Sequence, residues 1–165
     1  MSGRSESGLP DSIEVSARIG RLVRGQPYGV LCTQRDSEPY GSLVALAVTE
    51  DLTQFVFSTP TATRKYESLS RWNQVALVID SRSESPAGLM GLEAVTALGR
   101  AHVVPPGADF ERLAGLLVGR HPQLAGFVEA DTSALIRVEV ARYVYVRRFE
   151  DVRQWVPPRD LASHA

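Results

Sequence analysis

Cysteine and lysine each occur once in these 165 residues and histidine three times, and each scarcity closes off a class of protein. A lone Cys32 cannot form an intrachain disulfide, so the fold must stand on its core, and a reducing compartment, the cytoplasm, is expected. His102, His121 and His164 lack zinc-ligand spacing. Long apolar runs are missing too, since none nears the roughly 20 residues that cross a bilayer. The opening MSGRSESGLP has no apolar stretch of the secretory kind. Nor does either charge dominate: 18 basic and 19 acidic side chains give a net charge of -1, without the positive field that phosphate backbones require. Neither a membrane nor a nucleic acid is expected as a partner.

The chain is 44% hydrophobic and 22% charged, with 13 Gly and 10 Pro, the mixture of an ordinary globular domain. We expect a flexible leader at 1–10, one domain at 11–158 and a flexible tail at 159–165. Val15, Ile19, Leu22 and Val23 recur at helical spacing before Gly25 and Pro27, which predicts a first helix starting at Pro10 to Ser12. Short β-branched and aromatic runs follow at 29–33, 41–48, 54–58 and 74–80, with a short helix expected within 61–73. A Ser/Pro/Gly-rich connection at 81–91 leads to a strand at 94–104 containing Gly99, where a bulge is expected. A helix over 108–119, stopped by His121-Pro122, precedes an alternating strand at 134–148 and a short one at 152–156. Some seven mostly antiparallel strands in one small domain are best closed into a barrel, which removes exposed edges. The expected fold is therefore mainly β, a barrel with peripheral helices.

The most informative stretch is Ser58-Thr59-Pro60-Thr61-Ala62-Thr63-Arg64-Lys65, between a strand end and a helix start. Hydroxyls, unpaired helix amides and two adjacent cations suit a phosphate ester. A chain with seventeen arginines places its only lysine here, beside Arg64, where two cations oppose the helix dipole unless an anion offsets them. A solvated helix face with Thr59 or Thr63 as an ordinary N-cap accounts for the same residues.

Residues 40–80 carry a small-residue strand Gly41-Ser42-Leu43-Val44, a strand ending in Ser58-Thr59, the Arg64-Lys65 pair, Leu69, and Asn73 before the next strand. In this order they resemble the flavin-binding core of the pyridoxamine 5'-phosphate oxidase-like split-barrel superfamily. The resemblance implies a split β-barrel homodimer holding FMN at the subunit interface. It further implies that Arg64 and Lys65 bind the FMN phosphate, helped by Ser58, Thr59 and Thr63, while Ser42, Leu43, Val44 and Ala45 run along the isoalloxazine ring. Trp155, near the chain's end, would pack beside the flavin; plain core packing is its alternative. Activity would be that of a flavin-dependent oxidoreductase on a small molecule, with no catalytic acid or base demanded. Haem or the deazaflavin F420 in place of FMN, or a non-catalytic flavin-binding module, are the rival readings. Glu93-Ala94 depart from the polar pair that the family carries just before the strand matching 95–104, and the basic C-terminal signature of the B6 oxidases themselves is missing.

Overall fold

Residues 8–83 and 88–158 are described by a computed structural model. Alternation of buried and half-exposed positions builds eight strands: β1 (Tyr28–Arg35), β2 (Glu38–Ala45), β3 (Ala47–Val48), β4 (Gln54–Pro60), β5 (Gln74–Asp80), β6 (Glu93–Val103), β7 (Ser133–Arg147) and β8 (Asp151–Trp155). All pair antiparallel. Four helices accompany them: α1 (Gly8–Gly25), α2 (Arg64–Arg71), α3 (Ala108–Arg120) and α4 (Ala125–Val128). The strand order is β2-β1-β5-β6-β7-β4-β3, with β8 pairing the second half of β7.

The two ends of that order are consecutive pieces of chain. Only Leu46 separates β2 from β3, so the sheet closes on itself through a bend rather than a hydrogen-bonded seam. Leu46 is fully buried, its amide donates to the Pro27 carbonyl at 3.2 Å, and its carbonyl lies 3.0 Å from Nε2 of the buried His121. Below the bend β2 and β4 run close without pairing among the described residues. This is a split β-barrel with peripheral helices, as the sequence leads one to expect.

Two apolar clusters hold it. Val15, Ile19, Leu22 and Val23 of α1 join Leu31, Phe55, Leu77, Tyr143 and their neighbours in the barrel interior. Leu113 and Leu117 of α3 cover the outside of β3, β4 and the first half of β7, against Ala47, Val56 and Leu135. Among the described residues the remaining outer wall is uncovered: Leu43, Val30, Val78, Thr96 and Val144 form one aligned row across β2, β1, β5, β6 and β7, half-exposed except for Leu43, which is 68% exposed. An antiparallel wall facing water alternates to polar residues outside; this one stays apolar.

Several boundaries differ from expectation. Residues 41–48 read as one strand but break at Leu46, because the chain leaves β1 there to join β4. The first helix opens at Gly8, ahead of Pro10, so residues 8–10 extend it rather than the leader. Thr61 and Ala62 form a turn, and α2 starts only at Arg64. Pro122 begins a 3-10 turn that runs into α4 instead of ending all helix, since proline suits a helix's first position. The Gly99 bulge is present, with the β6–β7 register shifting between Leu98 and Gly99. Residues 1–7 of the leader, 84–87 of the Ser/Pro/Gly-rich connection and the tail at 159–165, with His164, lie outside the described residues. Among the described residues no helix is long and apolar enough to cross a membrane.

Candidate functional site

The turn from β4 into α2 is fastened by its own hydroxyls. Thr63, extended at φ -101° and ψ 152°, caps α2: its hydroxyl accepts from the Tyr66 amide at 3.3 Å and donates to the Pro60 carbonyl at 2.8 Å. Thr59, fully buried, places its hydroxyl 3.1 Å from that of Thr63, and Ser58 donates to the Ala134 carbonyl at 3.2 Å. The three hydroxyls expected to face an anion are thus engaged in shaping the turn. What remains open is the start of the helix. The Tyr66 and Glu67 amides are bonded to Thr63, while those of Arg64 and Lys65, the first two residues of α2, have no intrahelical acceptor.

The two cations differ in state. Arg64 forms an ion pair at 2.9 Å with Glu38 and lies over the Tyr40 ring at 5.0 Å. Lys65 is half-buried, forms no ion pair among the described residues, and burial pushes its ammonium below the ordinary lysine value. Against the helix start opens a cleft of about 740 Å³, lined by Arg35, Asp36, Glu38, Thr61–Arg64 and Glu67. Arg35 pairs with Glu67 at 2.9 Å. No local pattern in the sequence marks Arg35, Glu38 or Tyr40 as part of a site. The Asp36-Ser37 turn does signal the hairpin that sets Arg35 opposite Glu38, but the approach of that hairpin to α2 is a tertiary contact with no local mark.

The strand expected along a flavin ring starts at this cleft. Glu38 opens β2, and Ser42–Ala45 lie four to seven residues on, ~13–24 Å along an extended strand. Among the described residues β2 pairs with β1 alone, so the backbone groups of its other edge face the slit toward β4. Val44 is buried, Leu43 projects outward, Ala45 is half-buried, and Ser42 holds its Oγ buried with no hydrogen-bond partner among the described residues. An orphaned buried hydroxyl on an unpaired strand edge fits a planar ligand that brings its own donors and acceptors. An unpaired ammonium and two free helix amides fit that ligand's phosphate.

Trp155 lies away from the turn between β4 and α2. Its ring lies tilted by 33° against that of Tyr143, 5.7 Å between centroids, and it packs against the interior core. On β7 it aligns with Tyr143, whereas Ser58 aligns with Leu135, eight residues away or ~26 Å along the strand. Glu93 accepts a hydrogen bond from the buried Tyr145 and faces Arg18 at 3.5 Å, so this departure from the family pattern is part of a network beneath α1. Cys32 is half-buried, and burial raises its thiol pKa.

The family model for pyridoxamine 5'-phosphate oxidase matches residues 16–156. No curated protein matches the chain in sequence. Among solved structures, a heme binding protein from Mycobacterium smegmatis superposes with a TM-score of 0.76 at 14% identity over 86% of this chain, which spans only 58% of that one. A FAD-binding protein from Mesorhizobium loti gives 0.66 at 14% identity, covering 79% of this chain and 90% of its own. A putative pyridoxamine 5'-phosphate oxidase from Listeria innocua gives 0.60 at 16% identity, covering 85% and 97%. At such identities the structures share a fold and nothing finer. With the family match spanning nearly all the described chain, the protein belongs to the pyridoxamine 5'-phosphate oxidase-like split-barrel superfamily.

Proposed function

We propose that the chain is a flavin-binding homodimer that holds FMN where two copies meet and acts as a flavin-dependent oxidoreductase on a small molecule. One observation carries the reading: the slit beside β2, with an unpaired strand edge, an orphaned Ser42 hydroxyl and a cation-bearing helix start at the strand's beginning. Bound FMN supplies the hydride chemistry, and the protein supplies position and electrostatics. Lys65, Arg64 and the first α2 amides face the phosphate, the Thr59–Thr63 pair keeps the turn in shape, and the main chain of Ser42–Ala45 bonds the ring edge. Val44 and Leu43 keep water from the ring.

The bare apolar wall supports the dimer. Val30, Val78, Thr96 and Val144, rimmed by Leu43, present on the outside what α3 covers elsewhere, and a second copy is the cover that matches it. Trp155, far along β7 from the phosphate end of the site and packed into its own core, is assigned to the flavin of the partner copy. The free, half-buried thiol of Cys32 supports a cytoplasmic setting.

Haem is the second reading, favoured by the similarity to the M. smegmatis heme binding protein. Of the described histidines, His121 is engaged with Leu46, and His102 lies on the outer surface 3.9 Å from Glu139, so neither is presented to the slit. Absorbance of the purified protein, flavin bands against a Soret band, separates the two. Replacing both cations (R64Q/K65Q) weakens FMN by more than the ~1.5–3 kcal/mol of a single charge-assisted hydrogen bond, more than about tenfold. Full flavin occupancy of the double variant at micromolar concentration refutes the phosphate assignment. Oxidation of NADH or NADPH with an acceptor separates an enzyme from a passive flavin holder.

A further inference from the structure

The cleft at the start of α2 carries more acid than base: Asp36, Glu38 and Glu67 against Arg35 and Arg64. Arg35 is held between Glu67 at 2.9 Å and Asp36 at 3.8 Å, so it is not free to meet an incoming anion. Among the described residues Arg64 meets one carboxylate, that of Glu38 at 2.9 Å. Glu38 is held loosely, its side chain 68% exposed against 44% for Glu67, and unlike the more exposed Asp36 it pairs with Arg64. It opens the strand whose later residues line the slit.

We propose that Glu38 is a built-in competitor for the phosphate seat. With no phosphate bound it neutralises Arg64, and an incoming phosphate must displace it before the guanidinium can turn to the ligand. The inference rests on the flavin reading above and adds that the site sets its own threshold for retaining cofactor. The chemistry selects for charge. A dianionic phosphate outbids a single exposed carboxylate, because an exposed ion pair is among the weakest of interactions whereas a phosphate brings two charges and several acceptors to the same guanidinium. Riboflavin, identical in its ring but with no phosphate, has nothing to exchange for Glu38. The sharper consequence concerns coupling. The competition exists only while Arg64 is present, so Glu38 and Arg64 must act non-additively on FMN and independently on riboflavin.

The test is a titration of the full chain and of E38Q, R64M and E38Q/R64M with FMN and with riboflavin, followed by flavin fluorescence at low ionic strength. E38Q is expected to bind FMN about 2- to 5-fold tighter than wild type, the fold-change equivalent to an exposed ion pair, with riboflavin unchanged and no gain from E38Q in the R64M background. Unchanged or weaker FMN binding by E38Q, while wild type binds FMN, overturns the competitor role and leaves the flavin reading standing. A gain that persists in R64M overturns it too, since it would reflect general charge removal. If wild type and E38Q bind neither flavin, the flavin reading itself fails, and this inference with it.

Discussion

Gly99 and Gly115 receive the same substitution and should respond with opposite signs. A Cβ built on Gly99 would lie 2.2 Å from the Glu139 carbonyl oxygen, 3.0 Å from its carbon and 3.2 Å from a Val138 methyl. The first two are backbone of β7, which pairs with β6 from Glu93↔Arg147 to Val103↔Ile136 and with β4 on its other side. Neither neighbour can swing aside as a side-chain tip would. The strands must part by roughly 1 Å to restore ordinary contact. Overpacking of this kind costs ~1–3 kcal/mol, and a weakened ladder bond adds ~1 kcal/mol. At ~2–4 °C per kcal/mol for a chain this size, G99A should melt roughly 4–16 °C below wild type. Gly115 lies exposed in the middle of α3 with nothing within 4 Å of its virtual Cβ. Alanine there relieves the helix penalty of glycine and should add ~0.5–1 kcal/mol. Circular dichroism melts at matched protein concentration, backed by urea midpoints, read both. A G99A melt within about 1 °C of wild type would refute the bulge argument, whatever G115A does.

Three further outcomes follow from other parts of the molecule. The buried Tyr143 hydroxyl donates to the Leu52 carbonyl at 2.6 Å, burial keeping the phenol protonated far into the alkaline range, and Leu52 has a left-handed φ of 62°. Y143F leaves that carbonyl unpaired and should lose ~1–3 kcal/mol; an unchanged urea midpoint would show that the bond contributes nothing. Burial lowers the pKa of Lys65, so the unfolded chain binds that proton more readily and protonation at neutral pH works against folding. K65M should therefore be more stable than wild type at pH 7 while binding FMN less well, and the stability difference should shrink as pH rises toward the ordinary lysine value of about 10.4. A difference that does not shrink in alkaline urea titrations contradicts the assignment. Finally, V78R places a charge in the outer apolar wall, where Val78 is half-exposed and, among the described residues, belongs to neither apolar cluster. Sedimentation should show a folded monomer in place of a dimer, and a dimer that survives would locate the contact elsewhere.

Much of the fold could be read from local pattern because alternation and turn chemistry are local. β5 has the expected limits of Gln74 and Asp80, and the Gly99 bulge is marked by a glycine inside a β-branched run. The break at Leu46 has no such mark. It is imposed by the need to change neighbours from β1 to β4, and it is held by His121 and Pro27, seventy-five and nineteen residues away. The same limit applies to the site. Thr63 as a cap and the adjacency of Arg64 to Lys65 are local facts, and both are legible. That Arg64 is matched by Glu38, twenty-six residues earlier, and that Lys65 has no matching acid among the described residues, depends on how a hairpin lies against a helix. The hydroxyls of Ser58 and Thr59 look available in sequence because the carbonyls of Ala134 and Pro60 that receive them are invisible there.

Closing the sheet at one corner by chain continuity leaves the molecule with uneven compliance. The bend at Leu46, pinned from two directions, acts as a hinge pin, while the lips of the slit below it are joined by no rung between β2 and β4. A flat guest wedged between those lips would stand in for the missing rung and stiffen both. Amide hydrogen exchange would then slow most along β2 and β4 and least around Leu46, so the map of that slowing would trace the guest's outline without any view of the guest itself.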